Sequence, residues 1–145
     1  MSQQNFSLGR DTQQITINTP FGILAPSLIT DFWAKPETNL KKSKGLLTGV
    51  INPVLTQEGY TGGLELDRQN AAVDAFFAAY EAAYYAGQNI GYSTILHSIQ
   101  EANGTLSQFQ FVGVVLMLED AGHWKSDEIV RQKLGFFAQQ RVRLA

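Results

Sequence analysis

The side chains that could carry acid–base or metal chemistry are few and scattered along the chain. The two histidines, His97 and His123, lie in different segments. The adjacent acids Glu119–Asp120 and Asp127–Glu128 form two pairs, but neighbouring residues of a strand point to opposite faces, so neither pair is a carboxylate dyad. We expect His97 to be a partly buried strand residue and His123 a surface residue. The acids are expected to cap turns or face solvent.

None of the short motifs that carry phosphate, metal or nucleophile chemistry is present. The sequence lacks G-x-G-x-x-G, G-x-x-x-x-G-K-[ST], H-E-x-x-H and G-x-S-x-G. It also has no cysteine, which excludes disulfides, thiolate chemistry and cysteine-ligated zinc. We therefore predict no catalytic residue, no cofactor and no metal, and the residues give no positive reason to call the protein an enzyme.

Two groups of basic residues are candidates for contact with an acidic partner. Lys41, Lys42 and Lys44 lie in a glycine-rich stretch, as a phosphate patch or simply solvated. The second group alternates along the last segment, where ion pairing between subunits and a solvated face are both open; it comprises Arg131, Lys133, Arg141 and Arg143. With 11 basic and 13 acidic residues the net charge is −2. Nucleic-acid-binding domains usually show a basic surplus, so tight DNA binding is not expected.

Length and hydropathy place the chain among soluble domains. Its 145 residues are one domain's length and can bury a sizeable core. No apolar run approaches the roughly 18–20 residues that span a bilayer. The N-terminal stretch MSQQNFSLGRDTQQ lacks the apolar region of a signal peptide. We expect a protein made and kept in a cytosol.

The segment 67–87 is predicted to form the single helix. Asp67 would cap its start and Gly87 would end it in the left-handed conformation. Bulky residues that would cover a sheet recur at helical spacing; they are Val73, Phe76, Phe77, Tyr80 and Tyr84. Most other positions are alanine, including Ala75 and Ala79. Either this small face packs against a partner subunit, or the helix lies on a monomer's own core.

The rest of the chain reads as strands, with Asn103–Gly104 as the strongest hairpin signal. Extended segments are predicted over 13–19, 22–30, 31–39, 89–101, 105–119 and from Ile129 onwards. Unbroken alternation places Val112 and Val114 on one face and Phe109 and Phe111 on the other. Since both faces are apolar, that strand is expected to be covered on both sides. In the last strand the same rule places Val142 with Leu134, Phe136 and Ala138, and Arg141 with Arg131.

Between Leu40 and Gly63 the pattern weakens, and we predict a long loop over 40–63. The stretch contains five glycines and one proline. Its apolar residues would each gain roughly 1.5–3 kcal/mol from burial; they are Leu46, Leu47, Val50, Ile51, Val54 and Leu55. The loop should therefore lie on a surface, either that of its own domain or that of a neighbouring subunit. Residues 1–12 are expected to form a polar N-terminal arm.

These elements predict a mainly β (α+β) domain. It would be an antiparallel β-sandwich or barrel of about seven or eight strands, flanked by one helix at about 68–86 and a long loop at about 40–63.

Two stretches of the sequence resemble tail tube proteins of bacteriophages with contractile tails. One is the helix phrase, with Leu66-Asp-Arg68, Asp74-Ala-Phe-Phe and Glu81-Ala-Ala-Tyr-Tyr-Ala-Gly87. The other is the C-terminal run VGVVLMLEDAGHWKSDEIVRQKLGFFAQQRVRLA, residues 112–145. The likeness covers most of the chain, and its motifs are structural.

The resemblance implies one tail-tube-like domain over 1–145 with no catalytic or cofactor site. Six copies would form a ring whose inner wall is a continuous β-barrel, and stacked rings would form the hollow tube of a phage tail. The implied partners are further copies, a tail sheath outside, a tape-measure protein inside, baseplate and tail-terminator proteins at the ends, and passing DNA, without membrane insertion. Assembly would take place in the bacterial host cytoplasm, and the product would be part of the virion.

The resemblance also suggests which residues meet the lumen and which meet neighbouring subunits. Hairpins 13–30 and 89–115 would supply the lumen wall, with Gln14, Thr16, Asn18, Thr94, Ser98, Gln108 and Gln110 facing inward. A register slip of one residue would reverse that assignment. The inter-subunit contacts would be Leu46, Leu47, Val50, Ile51, Val54, Leu55, Ala75 and Ala79. The Lys41–Lys44 cluster and the C-terminal arginines are expected on the outer wall or at ring contacts.

Two alternatives remain open on the sequence. A tube protein of a type VI secretion or pyocin-like injection machine would have the same architecture. A small monomeric β-barrel is the other alternative, and it would hold an apolar ligand among Phe109, Phe111 and Tyr80.

Overall fold

The computed structural model describes residues 13–24, 28–101 and 103–145, so the predicted arm 1–12 lies outside the described residues. Within these ranges the chain forms eight strands and one helix, in agreement with the predicted fold class. They are β1 (Gln13–Thr19), β2 (Gly22–Leu24), β3 (Leu28–Lys44), β4 (Ile51–Asp67), α1 (Ala72–Tyr85), β5 (Ser93–Gln100), β6 (Leu106–Asp120), β7 (Arg131–Ala138) and β8 (Gln140–Arg143).

All the strand pairs are antiparallel, and β6 joins two sheets. The strand order is β2-β1-β5-β6-β7-β4-β3, and β8 also pairs with β6. Sheet A consists of β2, β1, β5, the first part of β6, and β8. Sheet B consists of the second part of β6 followed by β7, β4 and β3. The long strand β6 therefore fixes how the two sheets sit relative to each other.

Aromatic rings fill the space between the two sheets. Phe111 of sheet A is 1% exposed. Its ring centroid lies 5.5 Å from that of Phe136, 5.9 Å from Tyr60 and 6.3 Å from Phe32, all from sheet B. Burial of side chains of this size contributes about 1.5–3 kcal/mol each. Aliphatic side chains complete the core; they include Ile17, Leu66, Ile95, Val114 and Leu134.

Unbroken alternation along β6 was a wrong prediction, because the strand carries a bulge at Gly113. Phe111 and Val114 are both 1% exposed, although their positions differ by three. Gly113 has φ +64°, and the register against β5 shifts between Ser93 and Ile95. The extra residue turns Phe111 and Val114 to the same side.

The segment that pairs with β6 on this side is interrupted at Gln139, between β7 and β8. The backbone N–H of Gln139 donates to the carbonyl oxygens of Val112 and Gly113, at 3.0 and 3.3 Å. Ala138 is buried, whereas beyond the break it is Arg141, not Val142, that pairs opposite Phe111. The prediction that Arg141 shares a face with Arg131 is therefore wrong.

Helix α1 begins at Ala72, five residues after the predicted cap at Asp67. Asp67 is instead the last residue of β4, and its carboxylate lies 3.4 Å from the Arg131 side chain. The Asn70 side chain accepts a hydrogen bond from the Ala72 N–H at 3.0 Å. Pairing of β4 with β7 continues to the Asp67–Arg131 pair, so the sheet holds this segment extended.

The end of α1 is as predicted. Gly87 has φ +74° and its N–H donates to Tyr84, while the Gln88 N–H donates to the Ala83 carbonyl. This is the Schellman pattern that satisfies the last helical carbonyls. Tyr84, predicted in the buried stripe, is 65% exposed. The buried face of α1 consists of Val73, Phe76, Phe77 and Ala83.

The predicted loop over 40–63 is instead most of a long β-hairpin. Strands β3 and β4 pair from Leu28–Asp67 out to Lys44–Ile51. Of the five glycines that suggested a loop, Gly59, Gly62 and Gly63 are close-approach positions within β4; a Cβ on Gly62, for example, would lie 2.5 Å from the Phe136 ring. We call residues 38–57, which project beyond the register shift near Pro36, the arm.

We predict that Gly113→Ala lowers the free energy of unfolding by about 1–3 kcal/mol, because a left-handed φ strains an L-residue. A Cβ there would also lie 2.6 Å from Cγ of Gln139. Urea denaturation measures the loss. Gly91→Ala is the matched control, since its Cβ would meet only Pro20 at 3.7 Å. Equal stability of the two variants would contradict a structural role for the bulge.

Candidate assembly surfaces

The seven polar side chains predicted to line a lumen belong to sheet A, and they share one of its faces, which we call the polar face. Directly opposed residues of an antiparallel pair lie on the same face. Ile17, Ile95 and Phe111 occupy the other, buried face. The opposed sets on the polar face are Gln14, Ser98 and Gln108; Thr16, Leu96 and Gln110; and Asn18 with Thr94. The strand pairing therefore places the seven side chains on one face, whereas their contact with a lumen remains a prediction.

The polar face carries no charged side chain at its strand positions among the described residues. Gln108 donates its side-chain N–H to the Ser98 hydroxyl at 3.3 Å, across neighbouring strands. Besides the seven, the face carries apolar or amide side chains, namely Ile23, Leu96, Gln100, Leu106, Val112, Gln140 and Val142. Amides and hydroxyls hydrogen-bond to water without adding net charge. The surface is therefore wettable and electrically neutral.

The C-terminal arginines lie on the side of sheet A away from the polar face. The Arg141 guanidinium sits 4.4 Å from the Phe109 ring centroid and 5.1 Å from that of Tyr60. These are cation–π distances. Arg131 and Lys133 instead lie on the outer face of sheet B, because the chain reverses its alternation at Gln139. The predicted single basic face is thus divided between two sheets.

His97 lies on the core side of sheet A, as predicted, with its ring 4.9 Å from that of Phe32. Partial burial, and secondarily the positive charge of Arg141, lower the pKa of His97 from its ordinary value of 6.5. Its partial burial against the Phe32 ring is that of the partly buried strand residue that the sequence predicted.

The space that a small-ligand barrel would need is occupied by the chain's own rings. Phe111 packs against Phe136 and Tyr60, and Phe109 lies beneath Arg141. Tyr80 packs near Phe76, with ring centroids 6.1 Å apart. The structure therefore does not bring Phe109, Phe111 and Tyr80 together around a cavity.

The arm presents apolar side chains to solvent. At its tip Leu46 is 98% and Leu47 97% exposed. The other arm residues predicted at subunit contacts are also more than half exposed; they are Val50, Ile51, Val54 and Leu55. A two-stranded ribbon without a covered face is only marginally stable on its own. The arm therefore has the character of a contact element.

An apolar groove of about 390 Å³ lies between α1 and the β1–β2 hairpin. Ala75 and Ala79, the two helix residues predicted at subunit contacts, line it together with Phe21 and Ile23. Both alanines are exposed. Phe76 also lines the groove, and its ring packs edge-on against that of Phe21, with ring centroids 6.0 Å apart.

The outer face of sheet B carries a second apolar surface, where the sequence predicted that β6 would be covered. Val115 lies opposite Phe137, and Met117 lies opposite Gly135. Trp33 lies opposite Gly63, which in turn lies opposite Gly135, so Trp33 belongs to the same face. These large side chains are 36–46% exposed. Among the described residues these side chains are thus only partly covered, and the full coverage predicted for β6 is not found on this side.

The acids near the β6–β7 turn act locally, as predicted. The Asp120 carboxylate accepts the Gly122 N–H at 2.9 Å, and Lys125 lies 4.0 Å from Glu128. Asp120, His123, Asp127 and Glu128 line one open concavity with three basic residues. The described residues contain no group of three or more potential ligands placed to hold a metal ion. No described helix is long and apolar enough to cross a membrane.

One polar network was missed by reasoning from the sequence. Gln132, 0% exposed, donates to the Asp74 carboxylate at 2.8 Å and to the Ala121 carbonyl at 3.2 Å. Arg68 pairs with the same carboxylate at 2.9 Å. The network fastens the first turn of α1 to β7. Its partners lie far apart in the sequence, so no local sequence pattern predicts the network.

The fold is that of proteins from contractile injection machines. A chain in the cryo-EM structure of the PVC sheath/tube terminator, from an extracellular contractile injection system in the extended state, matches with TM-score 0.63 and 9% identity, covering 99% of this chain and 100% of that one. A chain of the PVC sheath–tube complex matches at 0.60 and 10% identity, covering 91% and 88%. A chain of the anti-feeding prophage tube-terminating cap matches at 0.60 and 12% identity, covering 90% and 87%.

At these identities the likeness establishes a shared fold, which is the fold that the resemblance to contractile-tail tube proteins implied. No protein-family model and no curated protein matches the sequence.

We predict that stability falls as the pH drops below about 6.5, because the unfolded chain binds a proton more readily than folded His97, whose pKa lies below 6.5. His97→Gln should flatten this dependence. Urea midpoints between pH 8 and pH 5 provide the measurement, with the exposed His123→Gln as the matched control. If His97→Gln follows the same pH curve as the control, the inference about His97 is wrong.

Proposed function

We propose that the protein is a structural subunit of a contractile-type tail tube, with the whole chain as one tail-tube-like domain. The observation that carries this function is the neutral polar face of sheet A, on a fold shared with chains of tube-containing machines. A conduit wall must be wetted yet must not hold its cargo. A face on which amides and hydroxyls lie among apolar side chains, with no charged side chain at its described strand positions, has both properties.

Ring closure would use the free edges of sheet A. On one side β2 pairs only with Ile17–Thr19, so among the described residues no strand pairs with the outer edge of residues 13–16 of β1. On the other side lies the short strand β8. Exposed edges of this kind recruit strands of another chain. Pairing between six neighbouring copies would close the sheets into one barrel and cover both edges.

The polar face would then line the lumen, where a tape-measure protein would sit during assembly and DNA would pass on ejection. DNA carries one negative charge per roughly 1.7 Å of axis, so an array of fixed cations along the channel would bind it. Arg141 and Arg143 lie behind this face. That placement keeps the lumen neutral.

Stacking and outer contacts would use the remaining surfaces. The arm, with Leu46, Leu47, Val50, Ile51, Val54 and Leu55, and the helix residues Ala75 and Ala79 would join neighbouring subunits. Residues 1–12 at the N-terminus would contribute to these contacts as well. Sheet B faces away from the lumen, so its apolar surface would meet a sheath. Baseplate and terminator proteins would cap the ends of a tube assembled in a bacterial host cytoplasm for the virion.

The second candidate is the tube of a related injection machine that is not a phage. The similarity to chains of the PVC and anti-feeding prophage particles favours it. Both candidates predict stacked rings. Co-purification with DNA-packaging and capsid components would favour the phage tail, whereas a particle without a capsid would favour the injection machine.

We expect the purified protein to form rings or hollow rods, because ring closure buries the free edges of sheet A. Negative-stain electron microscopy and sedimentation velocity measure this directly. Rods of constant diameter with an axial channel support the tube. A monomer that stays monomeric at high concentration, and also in the presence of its own baseplate complex, would overturn the proposal.

We predict that Gln110→Lys tubes retain duplex DNA at about 50 mM salt and lose most of it near 200 mM, since bound DNA releases counterions. Unaltered tubes should retain little at either concentration. Fluorescent duplex fragments co-sedimenting with the tubes provide the readout. The control is Gln88→Lys, an exposed position away from the polar face. Equal DNA retention by both variants would show that the polar face does not line the channel.

A further inference from the structure

The tip of the arm is apolar and fixed in shape. Leu46 and Leu47 occupy the turn that joins β3 to β4, and their side chains are 98% and 97% exposed. Backbone hydrogen bonds fix that turn, since the Gly45 N–H donates to the Val50 carbonyl and the Gly49 N–H donates to the Gly45 carbonyl, both at 2.9 Å. The two leucines are therefore presented to solvent by an ordered turn.

Three lysines surround the ribbon directly behind this tip. Successive residues of a strand point to opposite faces, so Lys42 and Lys44 lie on one face of the arm and Lys41 lies on the other. At about 3.3 Å per residue, the Cα atoms of Lys41 and Lys44 are roughly 10 Å apart along the ribbon. The arm thus ends in two leucines, with positive charge on both of its faces close behind them.

The arm contains no acid that could neutralise these lysines. Residues 38–57 include none, and the nearest acids along the chain, Glu37 and Glu58, lie at the root. Seven register pairs, from Thr38–Gln57 to Lys44–Ile51, separate this root from the tip, a distance of roughly 20 Å. Of the 11 basic and 13 acidic residues of the chain, three basic ones belong to the arm, so eight basic and 13 acidic residues remain outside it. An anionic surface therefore attracts the arm and repels the rest of the chain.

This combination fits a lipid surface better than a protein pocket. Binding hot spots between proteins are enriched in tryptophan, tyrosine and arginine, whereas leucine is under-represented in them. A protein that docked against one side of the ribbon would meet the lysines of one face only, but a plane that the arm meets end-on would meet the lysines of both. At membrane interfaces apolar side chains enter the boundary between headgroups and acyl chains, while long basic side chains keep their charge at the headgroups.

We propose that the arm tip binds anionic lipid bilayers wherever no neighbouring subunit covers it. The two tip leucines enter the boundary between headgroups and acyl chains, and the three arm lysines contact the lipid phosphates. The contact is peripheral, since a transmembrane strand needs roughly 9–11 residues across the bilayer. The proposal goes beyond the proposed function, in which the same arm joins subunits within a tube. It applies to a free subunit and to a tube end whose arms have no further ring to meet.

The leucines and the lysines act together. A single short apolar anchor gives marginal and reversible binding, and stable attachment takes a second signal such as a basic patch. Near an anionic leaflet each lysine strengthens binding roughly fivefold. Several arms on one particle raise the effective concentration of the remaining arms once the first has bound. Removal of either the leucines or the lysines should therefore release the protein from the bilayer.

Co-sedimentation with vesicles tests the proposal. Dilute full-length protein is mixed with vesicles of equal parts phosphatidylglycerol and phosphatidylcholine, or of phosphatidylcholine alone. We expect at least ~10-fold tighter binding to the anionic vesicles. Binding should weaken as the salt rises from about 0.01 M to about 0.1 M, because the Debye length falls from about 30 Å to about 10 Å. Equal binding to both kinds of vesicle would overturn the proposal.

Inorganic phosphate distinguishes a lipid site from a site for free phosphate. At the same ionic strength, phosphate should displace the protein from anionic vesicles no better than chloride does, because free phosphate offers nothing to the leucines. Selective displacement by phosphate would show that the lysines recognise the soluble anion, and it would overturn the assignment to lipid.

The lysines of the chain provide a matched pair of variants. There are six, three in the arm and three elsewhere. The arm variant carries Lys41→Gln, Lys42→Gln and Lys44→Gln, and the control carries Lys35→Gln, Lys125→Gln and Lys133→Gln. Both lose the same charge, but we expect the arm variant to lose roughly 100-fold in affinity for anionic vesicles and the control to lose little. Equal losses would show that net charge, not the arm, decides the binding.

The leucines are tested in the same way. Leu46→Ser with Leu47→Ser should abolish measurable binding, because only the electrostatic attraction is left. The control is Leu106→Ser with Leu144→Ser, which alters two leucines outside the arm that are 51% and 52% exposed. Each variant is compared once its circular dichroism matches that of the natural chain. Undiminished binding by the arm variant would contradict entry of the tip into the bilayer.

A fluorescent reporter on the intact tip shows which part of the protein meets the bilayer. The natural chain has no cysteine, so Thr48→Cys places a single polarity-sensitive dye in the turn and keeps both leucines and all three lysines. Its emission should shift to the blue on anionic vesicles, whereas a dye at Ala78→Cys, on an exposed position of α1, should not shift. A shift at Ala78→Cys alone, or equal shifts at both positions, would overturn the proposal.

Electron microscopy of the same samples keeps this result separate from that of the tube. Vesicle binding by a protein that forms no rods supports the lipid site while the proposed function fails. Rods without any vesicle binding overturn the lipid site and leave the tube standing. If both hold, rods should meet anionic vesicles by an end, and attachment along their sides would contradict binding through the arm tips.

Discussion

The paired irregularity at Gly113 and Gln139 is the constraint on which the two-sheet architecture depends. With the bulge, Phe111 points into the core between the sheets, and so does Val114. Gln139 donates its backbone N–H to the carbonyls of Val112 and Gly113 at the same point. The inward–outward alternation of side chains therefore shifts in both strands together. If either strand alternated without a break, one sheet would turn its apolar side to water. Glycine suits the position, because its φ is +64°.

This shift in side-chain alternation gives the domain two outer faces of different chemistry. The outer face of sheet A is polar and neutral, whereas that of sheet B carries Trp33, Met117 and Phe137. The same break keeps Arg141 over the Phe109 ring instead of on the polar face. One surface is suited to sliding contact and the other to a lasting one. The proposed inside and outside of the tube follow from that difference.

The arm shows how a structural protein can keep strands that its own core does not stabilise. Its backbone is paired out to Lys44 and Ile51, but each of its large apolar side chains is more than half exposed. Such a ribbon gains stability when its apolar residues meet another copy. Assembly and local order would then be coupled. The proposed contact of the arm with neighbouring subunits supplies that coupling without adding any new element to the domain.

The sequence by itself determined the strand class, the helix and its end at Gly87, and the set of polar residues in β1, β5 and β6, since these depend on short-range periodicity and turn chemistry. Tertiary structure alone decided which way the side chains of β6 point beyond Gly113, the strand pairing within the arm and the burial of Gln132. Glycines in β4 signal a loop locally, yet Gly62 is required by the ring of Phe136, 74 residues away along the chain. Asp67 resembles a helix cap, but Arg131 of β7 holds it in a strand. Contacts between residues distant in sequence leave no local signature, and they decided what the pattern left open.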